Sequence, residues 1–239
     1  MTADGSNVDP RELLKFGRLA ARWWDPQGAL KTLHAINPLR VAYIDQRASL
    51  RGKTVVDVGC GGGILTESMA QMNAQVTGID AAEEPLTVAR LHQQEAGSRA
   101  EYVRVTPEAF AAQRPSGFDA VTCLELLEHV PDPQSIVGAC ARLARPGADV
   151  FFSTINRTPR AYVEAILAAE QLLGLLPRGT HVFERFIRPA ELAGWSRNHG
   201  LDVVHMVGLS YNPVTRHYFL TRNVGVNYLL HARKPADAV

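Results

Sequence analysis

Two groups of residues in this chain have the types and the spacing to do chemistry. In the first, Val55 to Gly63 reads VVDVGCGGG: an apolar run closes at Asp57 and opens onto Gly59, Gly61, Gly62 and Gly63. A second apolar run, VTGID, closes at Asp80, about twenty residues further on. Main chain bare of side chains lets a ligand approach closely, and a carboxylate at the second position can accept from both hydroxyls of a ribose. Asp57, Gly59, Gly61 and Asp80 are therefore candidate groups of a nucleotide cradle at the carboxyl end of a parallel sheet. The plainer readings are a tight strand-to-helix turn and, for Asp80, a helix N-cap ahead of AAEEPL. Four glycines in five positions exceed what such a turn requires. Cys60 has no basic neighbour in sequence and reads as a small filler, not a nucleophile.

The second group is Glu125, Glu128 and His129 in CLELLEHVPDP, just past an apolar run. On one turn of helix the three would share a face. Two carboxylates there can hold Mg²⁺ with several waters retained, although an imidazole is a less usual Mg²⁺ ligand. His129 can instead act alone as a general base. The bland alternative is a solvated acidic turn whose histidine caps a helix end. Arg40 stands after a proline turn, where a guanidinium suits a carboxylate ligand, though a surface arginine is the default. Trp23 and Trp24 fit equally a plain core and the wall of a substrate pocket.

The elements that must position these groups follow from periodicity. Residues up to about Asp9 read as a disordered tail, and 10–50 as an N-terminal helical lid cut into short helices at Pro26 and Pro38. From Thr54, strands TVVDVG, AQVTGID, AEYVRV, FDAVTCL and DVFFSTI alternate with helical stretches, which implies a mostly parallel sheet covered on both faces. Residues 51–156 form this core, 157–190 a helical insertion after the fifth strand, and 191–239 the rest of the sheet. The last helix is followed by LDVVHMVGLSY and VGVNYLLHARK, an antiparallel pair at the edge. The expected fold is a doubly wound α/β sheet of seven strands.

Lys and Arg number 25 against 24 Asp and Glu, so charge gives no general pull toward nucleic acid. An interleaved basic and aromatic strip is also absent, which disfavours an RNA-modifying role. Three cysteines without metal spacing read as reduced thiols of a cytoplasmic protein, and MTADGSNVDPRELL does not read as a signal peptide. Within the insertion, residues 161–176 (AYVEAILAAEQLLGLL) are too short to span a bilayer but can dock on its surface, with Arg157, Arg160 and Arg178 toward anionic headgroups. A lid helix buried over the substrate is the alternative.

The order VDVGCGGG resembles the class I S-adenosylmethionine-dependent methyltransferases more than the dehydrogenases, whose glycines follow G-x-G-x-x-G. RWWD (Arg22 to Asp25), KTLHAINP, INPLRVAYI, DVGCGGGILTESMA, EPLTVARLH, LEHVPDPQS, FFSTINR, RFIRPAEL and YNPVT together resemble the ubiquinone-biosynthesis O-methyltransferases, from about Phe16 to Lys234. That family methylates phenolic hydroxyls of polyprenylated catechol intermediates. The resemblance implies S-adenosylmethionine as cofactor, with Arg40, Gly59, Asp80 and Leu124 among its contacts, and maps Glu125, Glu128 and His129 onto a divalent-metal site. It also implies a cytoplasmic enzyme at the inner membrane face, and company with other enzymes of the pathway. Two departures stand: PGADV after Pro146, and Ala82 where the family commonly has glycine. Residues Arg104 to Glu108 lack a clear acid aligned for the adenine amino group, so the resemblance names no adenine partner. Three rivals remain at this point: methylation of another small phenol, a nicotinamide-dependent oxidoreductase, and a non-catalytic scaffold.

Overall fold

The central strands carry apolar side chains on both sides because helices cover both faces. Val55, Phe151 and Leu229 pack on one side with Ile36, Tyr43, Ile44 and Met69. Their immediate neighbours Val56, Phe152 and Leu230 pack on the other with Phe110, Ile136, Leu143 and Leu192. Successive residues thus enter opposite layers, as the two-residue period of a strand requires.

The computed structural model describes residues 7–162 and 183–236. Strands β1 (Thr54–Val58), β2 (Gln75–Asp80), β3 (Glu101–Arg104), β4 (Phe118–Leu124) and β5 (Ala144–Ile155) run parallel. Strands β6 (Asp202–Asn212), β7 (His217–Thr221) and β8 (Asn227–Arg233) are antiparallel, in the overall order β3-β2-β1-β4-β5-β8-β6-β7. The sheet therefore has eight strands among the described residues, one more than expected: HYFLT folds back on β6 as a short edge strand. The strand order reverses between β1 and β4, and the crevice beyond their carboxyl ends is where open α/β sheets bind ligands.

Helices α2 (Lys31–Ala48) and α3 (Ile64–Gln71) lie on the first face; α5 (Pro107–Gln113), α6 (Pro133–Leu143) and α8 (Pro189–Asn198) lie on the second. Helix α4 (Glu83–Ala96) joins β2 to β3, and a helical turn α7 (Pro159–Ala161) follows β5. Pro38 does not cut the N-terminal region as expected but sits inside a continuous α2. Proline removes one N–H bond from a helix interior, yet this helix buries Ile36, Tyr43 and Ile44 against the sheet. Asn37 also ties it to Ser68 at 2.8 Å, and tertiary packing outweighs the break.

Helix α1 (Pro10–Leu19) begins at Asp9, which caps it by accepting from the Arg11 amide at 2.9 Å. Asn7 is also placed, donating to Glu108 at 2.9 Å and to the Asp132 carbonyl at 2.7 Å. Residues 7–9 are thus fixed, where a loose tail was expected; 1–6 lie outside the described residues.

Candidate active site

At the crevice a cavity of about 680 Å³ opens, lined by Arg40, Asp57, Gly59, Gly61, Asp80, Leu124, Glu125 and His129 together with residues of α1. Both groups picked out by sequence meet there, with the exception of Glu128.

Gly61 takes φ +53, a conformation that suits glycine, and a Cβ there would collide with the Trp23 indole. The bare main chain thus admits Trp23 as well as bordering the cavity. Trp23 is buried with Leu30 and Ile64 and also lines the cavity, so it is both core and wall. Trp24 does other work: its Nε1 donates to the Gly62 carbonyl at 2.9 Å, and its ring stacks on His92 at 3.4 Å. His92 in turn pairs with the buried Glu67 at 3.0 Å. The segment after α1 is therefore clamped onto the glycine loop by two indoles, and only the pair itself was visible in sequence.

Asp57, next to last in β1, has both carboxylate oxygens engaged, by Thr66 at 2.6 Å and Thr122 at 2.7 Å. Burial pushes its pKa up to about 6 despite those hydroxyls. It borders the cavity but spends its bonds joining β1 to α3 and β4. Asp80 accepts from the Gly61 amide at 2.9 Å and the Ala82 amide at 2.8 Å, and burial raises its pKa. Each oxygen retains acceptor capacity for a hydroxyl. Ala82 lies at φ −87 and ψ 126, ordinary extended backbone, so no glycine is needed there. The Cys60 thiol is buried and pushed well up, in keeping with a filler.

Arg40, buried on α2, donates to Glu125 at 2.5 Å, and its Nε has no partner among the described residues. An unpartnered, buried guanidinium N–H costs free energy that a ligand carboxylate would recover. Glu125 also accepts from Ser153 at 2.7 Å and from Asn227 at 3.1 Å. An arginine edge, an aspartate fixed by two backbone amides and a glycine turn fit an amino-acid-bearing nucleoside such as S-adenosylmethionine.

The metal set expected of Glu125, Glu128 and His129 is not assembled. Among the described residues no group of three His, Cys, Asp or Glu side chains is placed to hold an ion. The shared helical face does not exist: Glu125 sits at φ +53, before the 3₁₀ turn Leu127–His129. Glu125 is held by Arg40, while Glu128 lies buried with Oε2 accepting from Thr154 at 2.8 Å. Burial and the neighbouring Glu125 carboxylate raise the Glu128 pKa to about 8. Glu128 Oε1 and Asn227 Oδ1 are nonetheless buried without a hydrogen-bond partner among the described residues, beside the Glu125 carboxylate.

His129 instead meets α1. Its Nδ1 lies 3.0 Å from Glu12 Oε2, and the Phe16 ring stands edge-on at 5.0 Å. Burial works against ionisation of Glu12, but hydrogen bonds from His129 and Lys15 hold its pKa down to about 2. Sequence reasoning missed this partner across 117 positions. The available signal was the cap pattern Asp9-Pro10-Arg11-Glu12, which fixes where α1 starts.

A family model described as a methyltransferase domain matches residues 25–206. The ubiquinone biosynthesis O-methyltransferase of Saccharophagus degradans is 56% identical over 235 residues, covering 98% of this chain and 100% of that protein. The protein of the same name from Stutzerimonas stutzeri is 59% identical over 229 residues, 96% of this chain and 99% of the other. Among solved structures, magnesium protoporphyrin IX methyltransferase from Synechocystis superposes with a TM-score of 0.67 at 20% identity, covering 92% of this chain and 94% of that one. At that identity the likeness shows the fold alone. The near-complete matches at more than half identity go further: the chain belongs to the ubiquinone-biosynthesis O-methyltransferase family.

Proposed function

We propose that the chain transfers a methyl group from S-adenosylmethionine to a phenolic hydroxyl of a polyprenylated catechol or phenol in ubiquinone biosynthesis, with His129 as general base. The observation that carries this reading is that a single cavity is lined at once by Gly61 and Asp80 and by His129. S-adenosylmethionine, when bound, supplies a methyl group on positively charged sulfur, an electrophile that needs no further activation. Gly59, Gly61 and Asp80 border the adenosine, Asp80 taking the ribose hydroxyls. Leu124 offers an apolar contact, and Arg40 receives the carboxylate at the methionine end. Asp57 keeps the end of β1 in register with α3 and β4 through its two threonine bonds.

A phenol titrates near pH 10, so a neutral-pH enzyme must draw the proton off. His129 does so while the cavity walls hold the oxygen in line with the methyl carbon. No step is assigned to a metal. Apolar lining from Leu13, Phe16, Ile155 and Val226 suits a prenylated ring. No described helix is long and apolar enough to cross a membrane. A polyprenyl substrate resides in one, and residues 161–176 supply peripheral contact on the cytoplasmic side in this reading; all but Ala161 and Tyr162 of that stretch lie outside the described residues. Association with other enzymes of the pathway belongs to the same reading. The nicotinamide and scaffold alternatives fall with family membership.

The test is transfer of label from S-adenosylmethionine to a short-chain prenylated catechol, with and without Mg²⁺. The expected result is label on the catechol oxygen, and a fall of about 100-fold or more in His129→Ala. No transfer, or full activity in that variant, overturns the reading.

A further inference from the structure

Helix α1 presents Glu12 and Phe16, four residues apart and so on one face, to the imidazole of His129. The carboxylate oxygen lies 3.0 Å from Nδ1. A carboxylate can only accept, so this contact puts a proton on Nδ1 and leaves proton uptake to Nε2. Phe16, edge-on at 88°, limits rotation of the ring about that bond. Glu12 is itself held: Lys15 donates to Oε2 at 2.9 Å and Arg185 Nη1 stands 3.8 Å from Oε1. The helix is fastened at its start, where Asp9 caps it and accepts from Arg185 at 2.8 Å. Every one of these contacts joins α1 to a distant part of the chain or serves to hold a residue that does.

We propose that Glu12 is the positioning residue of His129: it fixes the ring's tautomer and direction, and the base is complete only when α1 lies over the cavity. This rests on His129 being the base. A histidine paired with an orienting carboxylate is a recurrent way to hold an imidazole ready for proton transfer. Here the carboxylate comes from the N-terminal lid, so closure and assembly of the base become one event.

The rival is an ion pair that merely docks α1. Steady-state kinetics with labelled S-adenosylmethionine and a short-chain prenylated catechol separate the two, using Glu12→Ala and Glu12→Gln in the parent and in a His129→Ala background. S-adenosylmethionine affinity is read by calorimetry on the same proteins. The expected result is a kcat loss of roughly 100-fold for the alanine and roughly 10-fold for the glutamine, which keeps an acceptor. The catechol KM and cofactor affinity stay within about twofold, and neither change lowers kcat further in the His129→Ala background. The near-isosteric glutamine variant carries the comparison should the alanine fail to fold. Undiminished kcat in both variants, a loss borne by KM or cofactor affinity, or a further loss of equal size without His129 overturns the proposal. A fully active His129→Ala would instead remove the base itself, a result the same experiment distinguishes.

Discussion

A carboxyl group buried beside another carboxylate is a poor place for a negative charge, and Glu128 occupies one. Its folded pKa, raised to about 8 from the usual 4.5, means that between those values the unfolded chain gives up a proton that the folded chain keeps. Stability must therefore fall as pH rises through that window, while below about pH 4.5 both states hold the proton and the group adds no pH dependence. Glu128→Gln removes the titration, so its melting temperature relative to the parent should climb from pH 5 to pH 8; a difference that stays flat would count against the buried acid. Arg40→Ala leaves Glu125 without its guanidinium and the cofactor carboxylate without its proposed partner. Calorimetry should show S-adenosylmethionine binding weakened by about 10- to 100-fold. At this scale the sequence announced residues whose type and spacing are themselves the signal: Asp57, the glycines, Asp80, Glu125 and His129. It was silent on Glu12, Ser153, Thr154 and Asn227, because their relevance arises only where distant segments meet.

Among the elements, α2 is the one whose local propensity and final form disagree. Replacing Pro38 by Ala restores a donor at a helix interior, so stability should rise, by at most ~3 kcal/mol, in denaturant unfolding. At the start of α6, Asp132 accepts from the Ser135 amide at 3.2 Å, and Asp132→Ala should cost about 1 kcal/mol. The alternation of strands and helices was readable because two-residue and 3.6-residue periods differ plainly over such lengths. Three details were not. Pro38 is overruled by burial of its neighbours, Glu125 adopts a left-handed backbone that breaks the assumed helical face, and β7 is too short for its period to stand out.

On the scale of the whole molecule, the doubly wound sheet sets a crevice at the β1/β4 reversal, and the N-terminal helix roofs it. Asp9, at the start of that helix, accepts from Arg185 across 176 positions. Arg185→Ala should therefore speed hydrogen exchange in the α1 amides while the β4 and β5 amides keep their protection; uniform exchange would argue that the helix is held by packing alone. The sheet order and the crevice could be anticipated from sequence, whereas the roof contacts depend on pairings with no periodic trace. Cys60, Cys123 and Cys140 are all buried. Cys60 borders the cavity, so in a Cys60→Ser background Leu14→Cys, at a position 64% exposed on α1, would install a single maleimide reporter for watching the roof lift and settle in real time.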